Sequence, residues 1–161
     1  MHGRFLACLV SVFVFGAAGF ASAANVTSFN PQSLVLALQN AGYKAILSKD
    51  DEGDPLIETA SDGNPIVIVM TDCENHSSCA TTEFVGVWDC SKEIKRCGQV
   101  AEEYNNEESP VHALMSDDGE RASTYAYLLF DEVGISESLF LKNFTTFSYY
   151  NNRFTLEVSR K

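Results

Sequence analysis

Basic residues are scarce in this chain: 11 lysines and arginines stand against 22 aspartates and glutamates, for a formal net charge of −11. A surface of that sign repels phosphate backbones, which argues against nucleic acid as a partner, and it repels anionic lipid as well. Proline is used 4 times and tryptophan once, and no proline-rich linker, low-complexity stretch or internal repeat divides the chain. After residue 23 no apolar run approaches the roughly 20 residues of a membrane span, so no stable membrane insertion is expected. Gly-x-Ser-x-Gly, the elbow that presents a hydrolase serine, does not occur. His112, Ser123 and Ser148 have no spacing partner that would make them an acid–base pair or a nucleophile, so no catalytic residue is assigned. The acidic run Asp50 to Asp54 does not match a calcium loop, because neither frame places glycine sixth and glutamate twelfth. No cofactor is expected.

The N-terminus is where the long apolar run is found. Arg4 supplies a positive charge, Phe5 to Phe20 is apolar or small apart from Ser11, and Ala21-Ser22-Ala23 provides small residues for cleavage. This order is that of a secretory signal peptide. Residues 1–23 are therefore expected to be removed, leaving 138 of the 161 residues as a single domain, 24–161. Loss of Arg4 changes the formal charge from −11 to −12. The protein is expected to be exported, to the periplasm or the extracellular space of a bacterium.

Export sets the reading of the cysteines. Cys8 leaves with the signal, and Cys73, Cys79, Cys90 and Cys97 remain. An even count in an oxidising compartment implies disulfides. Three connectivities exist; local pairing, Cys73 with Cys79 and Cys90 with Cys97, is the expected one. The alternative is a metal-binding sensor. Cys73, His76 and Cys79 form C-x-x-H-x-x-C, which with Asp72 or Glu74 has zinc-ligand chemistry. The oxidising compartment favours the bridge, and no metal site is assigned.

Local signals set the element order. Asn30-Pro31 opens a helix whose apolar face is Leu34, Ala37, Leu38 and Ala41, and Gly42 stops it. Strands are expected over Tyr43–Ser48, Leu56–Thr59, Pro65–Thr71 and Thr81–Asp89, with Asp62-Gly63 as a hairpin turn. The unbroken run Ile66-Val67-Ile68-Val69-Met70 predicts a strand covered on both faces or lying mid-sheet. Ile94, Cys97, Ala101 and Tyr104 have helical spacing. A helix spanning 90 to 97 would part the cysteines by about 10 Å, beyond disulfide reach, so the second helix is placed over Cys97–Asn105. Val111–Met115 and Thr124–Phe130 form another hairpin about Asp118-Gly119. Ser136 caps a third helix. Phe154, Leu156 and Val158 alternate like a strand, while Phe147, Tyr150, Phe154 and Val158 fit a helix, and the local pattern leaves both open. The fold class is α+β, an antiparallel sheet with flanking helices in the order α-ββββ-α-ββ-α.

Several of these stretches together resemble the YbjN family of bacterial proteins. They are Ala41-Gly42-Tyr43 at the end of the first helix, Gly53-Asp54-Pro55 with Ile57, the pair Cys73 and Cys79 after a buried strand, and Asp131 with Gly134 before the last helix. The resemblance implies a fold like that of type III secretion chaperones, a homodimer, and a binding, regulatory or chaperone-like role without catalysis. A protein or peptide partner is the expectation that follows, and Trp88, Tyr104, Tyr149 and Tyr150 are the candidate recognition residues, because aromatics concentrate at interface centres.

Overall fold

A computed structural model describes residues 25–107 and 109–160. The signal peptide assigned to residues 1–23 lies outside the described residues. In chain order the elements are β1 (Asn25–Val26), α1 (Pro31–Asn40), β2 (Ile46–Lys49), β3 (Pro55–Ser61), β4 (Asn64–Glu74), β5 (Ser77–Asp89), α2 (Ile94–Asn105), β6 (His112–Met115), β7 (Arg121–Leu129), β8 (Ile135–Ser136) and α3 (Glu137–Ser159). The fold is α+β, and β2 to β7 form one six-stranded antiparallel sheet of order β2-β3-β4-β5-β7-β6. The helices and the sheet follow the order expected from the sequence. The additions are β1 and β8, which pair over two residues each.

The turns follow their chemistry. Asp62 (φ 51°) and Gly63 (φ 83°) make the left-handed pair of a tight hairpin between β3 and β4. Gly119 (φ 74°) closes the turn before β7, donating its N–H to the Ser116 carbonyl at 2.8 Å. Gly42 (φ 89°) ends α1. Asn30 precedes α1 but makes no capping bond with its side chain. Ser33 in the first turn ties the preceding segment to the helix instead, its hydroxyl accepting the Thr27 N–H at 3.0 Å and donating to the Asn30 carbonyl at 2.7 Å. Ser136 caps α3, accepting the Leu139 N–H at 3.2 Å.

One open choice is settled and one expectation is corrected. The C-terminal segment, whose local pattern allows strand or helix, is helix. The helical stripe Phe140, Phe144, Phe147, Asn151 and Phe154 buries against the sheet, and alternation would have sent half of these residues to solvent. The second helix begins at Ile94, three residues ahead of Cys97. The bridge is nevertheless formed. Cys90 stands before the helix, a turn returns the chain through Glu93 N–H to the Cys90 carbonyl at 2.9 Å, and the two Cα atoms are 6.1 Å apart. Only half the interval is helical, so helical spacing and local bridge coexist.

The core lies between the sheet and the helices. Phe84 of β5 meets Phe140, Phe144 and Phe147 of α3 at ring separations of 6.1, 6.0 and 5.6 Å. Gly86 permits α3 to come this close: a Cβ there would stand 1.8 Å from Asn151 Oδ1. Asn151 is fully buried and accepts the Thr124 hydroxyl at 2.8 Å, which binds α3 to β7. Near the C-terminus of α3, Arg153 donates to both carboxylate oxygens of Glu107 at 2.6 Å and to Glu157 at 2.8 Å, which joins the end of α2 to α3. This pairing holds the Glu107 carboxyl below the usual carboxylate range.

Candidate functional site

Cross-strand register assigns every strand residue to one of two faces, because directly opposed residues point the same way. The helix-side face carries Ile57, Ile66, Ile68, Met70, Phe84 and Ala122, all buried. The other face is built in rows. One runs Ile46, Glu58, Val67, Val85, Tyr125 and His112. The next runs Ser48, Leu56, Val69, Glu83 and Tyr127. Beyond them lie Thr71, Thr81 and Leu129 on one side and Val87, Ser123 and Leu114 on the other. Asp89 and Arg121 close the far end.

An antiparallel sheet with one wet face ordinarily alternates apolar-in with polar-out. This sheet does not. Leu129 is 72% exposed, Tyr127 61%, Val87 55%, Leu114 54% and Ile46 47%. At roughly 150–200 Å² per side chain these five present on the order of 500 Å² of mainly apolar surface. Leu56, Val67, Val69, Val85 and Tyr125 lie half-buried between them. Among the described residues all three helices pack on the opposite face, where the buried side chains are. Val85, Val87, Leu114 and Ser123 also line a depression of about 330 Å³ on the open side. Patches beyond a few hundred Å² on a folded protein mark interaction sites. Burial among these neighbours raises the Glu83 carboxyl above its ordinary value, and the Tyr127 hydroxyl beside it works in the opposite sense.

The four aromatic residues singled out from the sequence go to different places. Tyr104 is 1% exposed and sits in the core between Phe154 and Tyr150, where burial pushes its phenol well above the usual range. Trp88 is half-buried on the helix side, its indole donating to Thr155 Oγ1 at 2.8 Å and its ring 4.7 Å from Phe154. Tyr150 is half-buried beside Tyr104. Tyr149 is 65% exposed and lines a groove of about 430 Å³ along α3 with Tyr43, Asp62, Asn152 and Leu156. The structure therefore brings Trp88, Tyr104 and Tyr150 to one structural seam with Phe154, and Tyr149 meets that seam only through Tyr150, at a ring separation of 5.2 Å, with most of its side chain in solvent. The aliphatic residues of the open face were missed as recognition candidates. Their signal was the unbroken run Ile66 to Met70, two of whose five residues, Val67 and Val69, point away from the helices.

The cysteines form the two local bridges. Cys90 and Cys97 are both buried. Cys73 and Cys79 lie directly opposite one another across β4 and β5, with Cα atoms 3.9 Å apart. The segment between them is a strand-to-strand turn, not an open loop: Asn75 (φ 51°) and His76 (φ 57°) are its two central residues. With each sulfur bonded to the other, neither is a thiolate, which removes two of the three soft ligands from the Cys73/His76/Cys79 metal reading. His76 turns to Asp54 instead, Nδ1 to Oδ1 at 2.8 Å.

This turn yields a stability prediction. Two left-handed residues in a hairpin suit Asn-Gly, and histidine at the second position costs about 1 kcal/mol relative to glycine. The His76–Asp54 contact, with the imidazole 60% exposed, returns at most about 0.5 kcal/mol. His76→Gly is expected to leave the urea midpoint unchanged or raise it by the equivalent of about 0.5 kcal/mol. A loss above about 1 kcal/mol would mean that the His76–Asp54 contact outweighs the backbone term.

No helix among the described residues is long and apolar enough to cross a membrane. No family model matches the chain, and no curated protein matches it. Among solved structures the chain is similar to YbjN from E. coli, with 14% identity, a TM-score of 0.49, and coverage of 80% of this chain and 87% of that one.

Proposed function

We propose that this chain is an exported, non-enzymatic protein-binding module of the bacterial periplasm or extracellular space, and that the open face of its sheet is where the partner sits. The observation that carries the reading is the face itself: aliphatic and tyrosine side chains occupy positions where an antiparallel sheet open to water places polar ones. Two disulfides support the compartment. Residues 1–23 act as the signal, and 24–161 fold as one domain. A regulatory or chaperone-like role is the use to which such binding is put.

The test is in-cell crosslinking followed by affinity recovery, comparing the wild-type protein with Leu129→Lys and Val87→Lys. Both side chains are more than half exposed, so the variants are expected to keep their unfolding midpoints within about 0.5 kcal/mol. Each should lose at least tenfold in recovered partner. Intact mass of the same preparation should show a chain that starts at Ala24 with both bridges closed. Recovery of the same proteins at the same yield by wild type and variants would sink the assignment of the face.

A further inference from the structure

The open face is not purely apolar, and its charges indicate what would fit it. We infer that the occupant is an amphipathic segment of another protein that carries a lysine or arginine within its apolar side, placed against Glu83; this rests on the reading of the face as a protein-binding site. The charged and titratable groups on the face are Glu58, Glu83, Asp89, Arg121, His112, Tyr125 and Tyr127. His112 is at the β6 edge. Arg121 and Asp89 are opposed in register across β5 and β7 at one end of the face, away from its middle. What remains near the middle is acidic: Glu58 beside Val67, and Glu83 in the row between Val69 and Tyr127.

Glu83 is the informative residue. It is half-buried among large neighbours in the unbound protein, and a partner laid over the face would desolvate it further. A buried carboxylate without a counter-charge is costly. An apolar or acidic occupant would meet that cost in full, whereas a cation opposite Glu83 offsets it and adds a charge-assisted bond. The same reasoning disfavours a second copy of this chain. A twofold interface uses the same patch on both sides, and stacking the faces about their middle would bring the two acidic groups together. The apolar area is adequate for one partner: about 500 Å² from the five exposed residues, extended by the half-buried row, approaches the roughly 800 Å² per side of a stable complex. The formal charge of −12 left after removal of Arg4 with the signal would steer a cationic segment inward.

Three synthetic amphipathic helical peptides with one shared apolar stripe test this. They differ only in carrying lysine, glutamine or glutamate at the stripe, and each is titrated into the oxidised protein and followed by calorimetry. The lysine peptide is expected to bind at least tenfold more tightly than the glutamate peptide. Glu83→Gln should cut its affinity about tenfold, the equivalent of about 1.4 kcal/mol, while leaving the glutamine peptide unchanged. The raised Glu83 carboxyl makes this variant usable. Burial makes the ionised form less favourable in the folded protein than in the unfolded chain, so replacing the carboxylate by a neutral amide should not lower the unfolding midpoint at pH 7. Equal binding of all three peptides, with no effect of Glu83→Gln but loss on Leu129→Lys, would overturn the cationic occupant and leave the face standing as a binding site. Binding of none, together with wild-type partner recovery by Leu129→Lys, would overturn the face itself. Sedimentation showing a dimer that tightens in Glu83→Gln would give the face to a second copy, and binding to neutral lipid vesicles lost in Leu129→Lys would give it to lipid; either result overturns the inference.

Discussion

Replacing Gly86 by alanine is expected to destabilise the protein by about 3 kcal/mol, the upper end of what overpacking usually costs. The added Cβ would stand 1.8 Å from Asn151 Oδ1, 2.8 Å from Asn151 Cγ and 2.8 Å from Trp88 Cη2. Neither neighbour is free to withdraw. Asn151 is fully buried on α3 and hydrogen-bonded to Thr124. Trp88 is anchored through its indole to Thr155 and rests on Phe154. The clash must therefore be relieved by moving α3 away from the sheet, at the expense of the Phe84 contacts with Phe140, Phe144 and Phe147. Urea unfolding of Gly86→Ala, Asn151→Ala and the double variant measures this. Asn151→Ala removes the obstacle, so the double variant should be more stable than the sum of the single losses predicts, by at least about 1 kcal/mol. Strict additivity would show that the close approach of Gly86 to Asn151 is not what the methyl group disturbs.

Opening both disulfides is expected to cost about 5 kcal/mol, roughly 2–2.5 kcal/mol for each short loop by the chain-entropy relation. Native domains hold only about 5–15 kcal/mol in total, so the reduced protein should be marginal or unfolded at 37 °C. The loops span separations of 6 and 7 residues, and their contributions should be similar. Reduction of Cys90–Cys97 would free the entry to α2. Reduction of Cys73–Cys79 would loosen the β4–β5 turn, where Asp72, Asn75, His76 and Ser78 all have positive φ. Thermal unfolding with and without a thiol reductant, alongside Cys73→Ala/Cys79→Ala and Cys90→Ala/Cys97→Ala variants, separates the two. An unfolding midpoint indifferent to reductant would contradict the role given to the bridges and remove one support for export.

The elements that could be read correctly along the chain are those whose cause is local. Asp62-Gly63 turns because two adjacent residues tolerate left-handed backbone. Ser136 caps because its hydroxyl reaches an N–H three residues on. The Cys90–Cys97 bridge was foreseen from loop length, although α2 starts earlier than that reasoning allowed, since a helix can begin between the cysteines without carrying both. The elements misread or missed depend on distant residues. Phe154 and Val158 satisfy both periods, and the sheet beneath α3 decides between them. β1 and β8 are two residues each, and neither would form without its partner more than 100 positions away. Gly86 looked like any glycine in a strand pattern; its meaning came from Asn151, 65 positions on.

The candidate site shows the same division. Aromatic residue type suggested Trp88, Tyr104, Tyr149 and Tyr150, but residue type does not encode which side of a sheet or helix is covered. Three of the four turn toward the seam of α2, α3 and the sheet. The apolar run Ile66 to Met70 predicts a strand covered on both faces or lying mid-sheet, and β4 is an interior strand of the sheet. Its alternate residues do split, Ile66, Ile68 and Met70 under the helices and Val67 and Val69 on the open side. By itself, the sequence determined the acidic balance, the α+β class, the turns and the Ser136 cap, and it favoured the local cysteine pairing, because each rests on composition or on contacts between near neighbours. Only the tertiary structure decided which face the three helices cover, and hence which valines, leucines and tyrosines are left in contact with water around Glu83. Burial is a property of what lies opposite a residue in space, and for every position on that face the answer comes from another part of the chain.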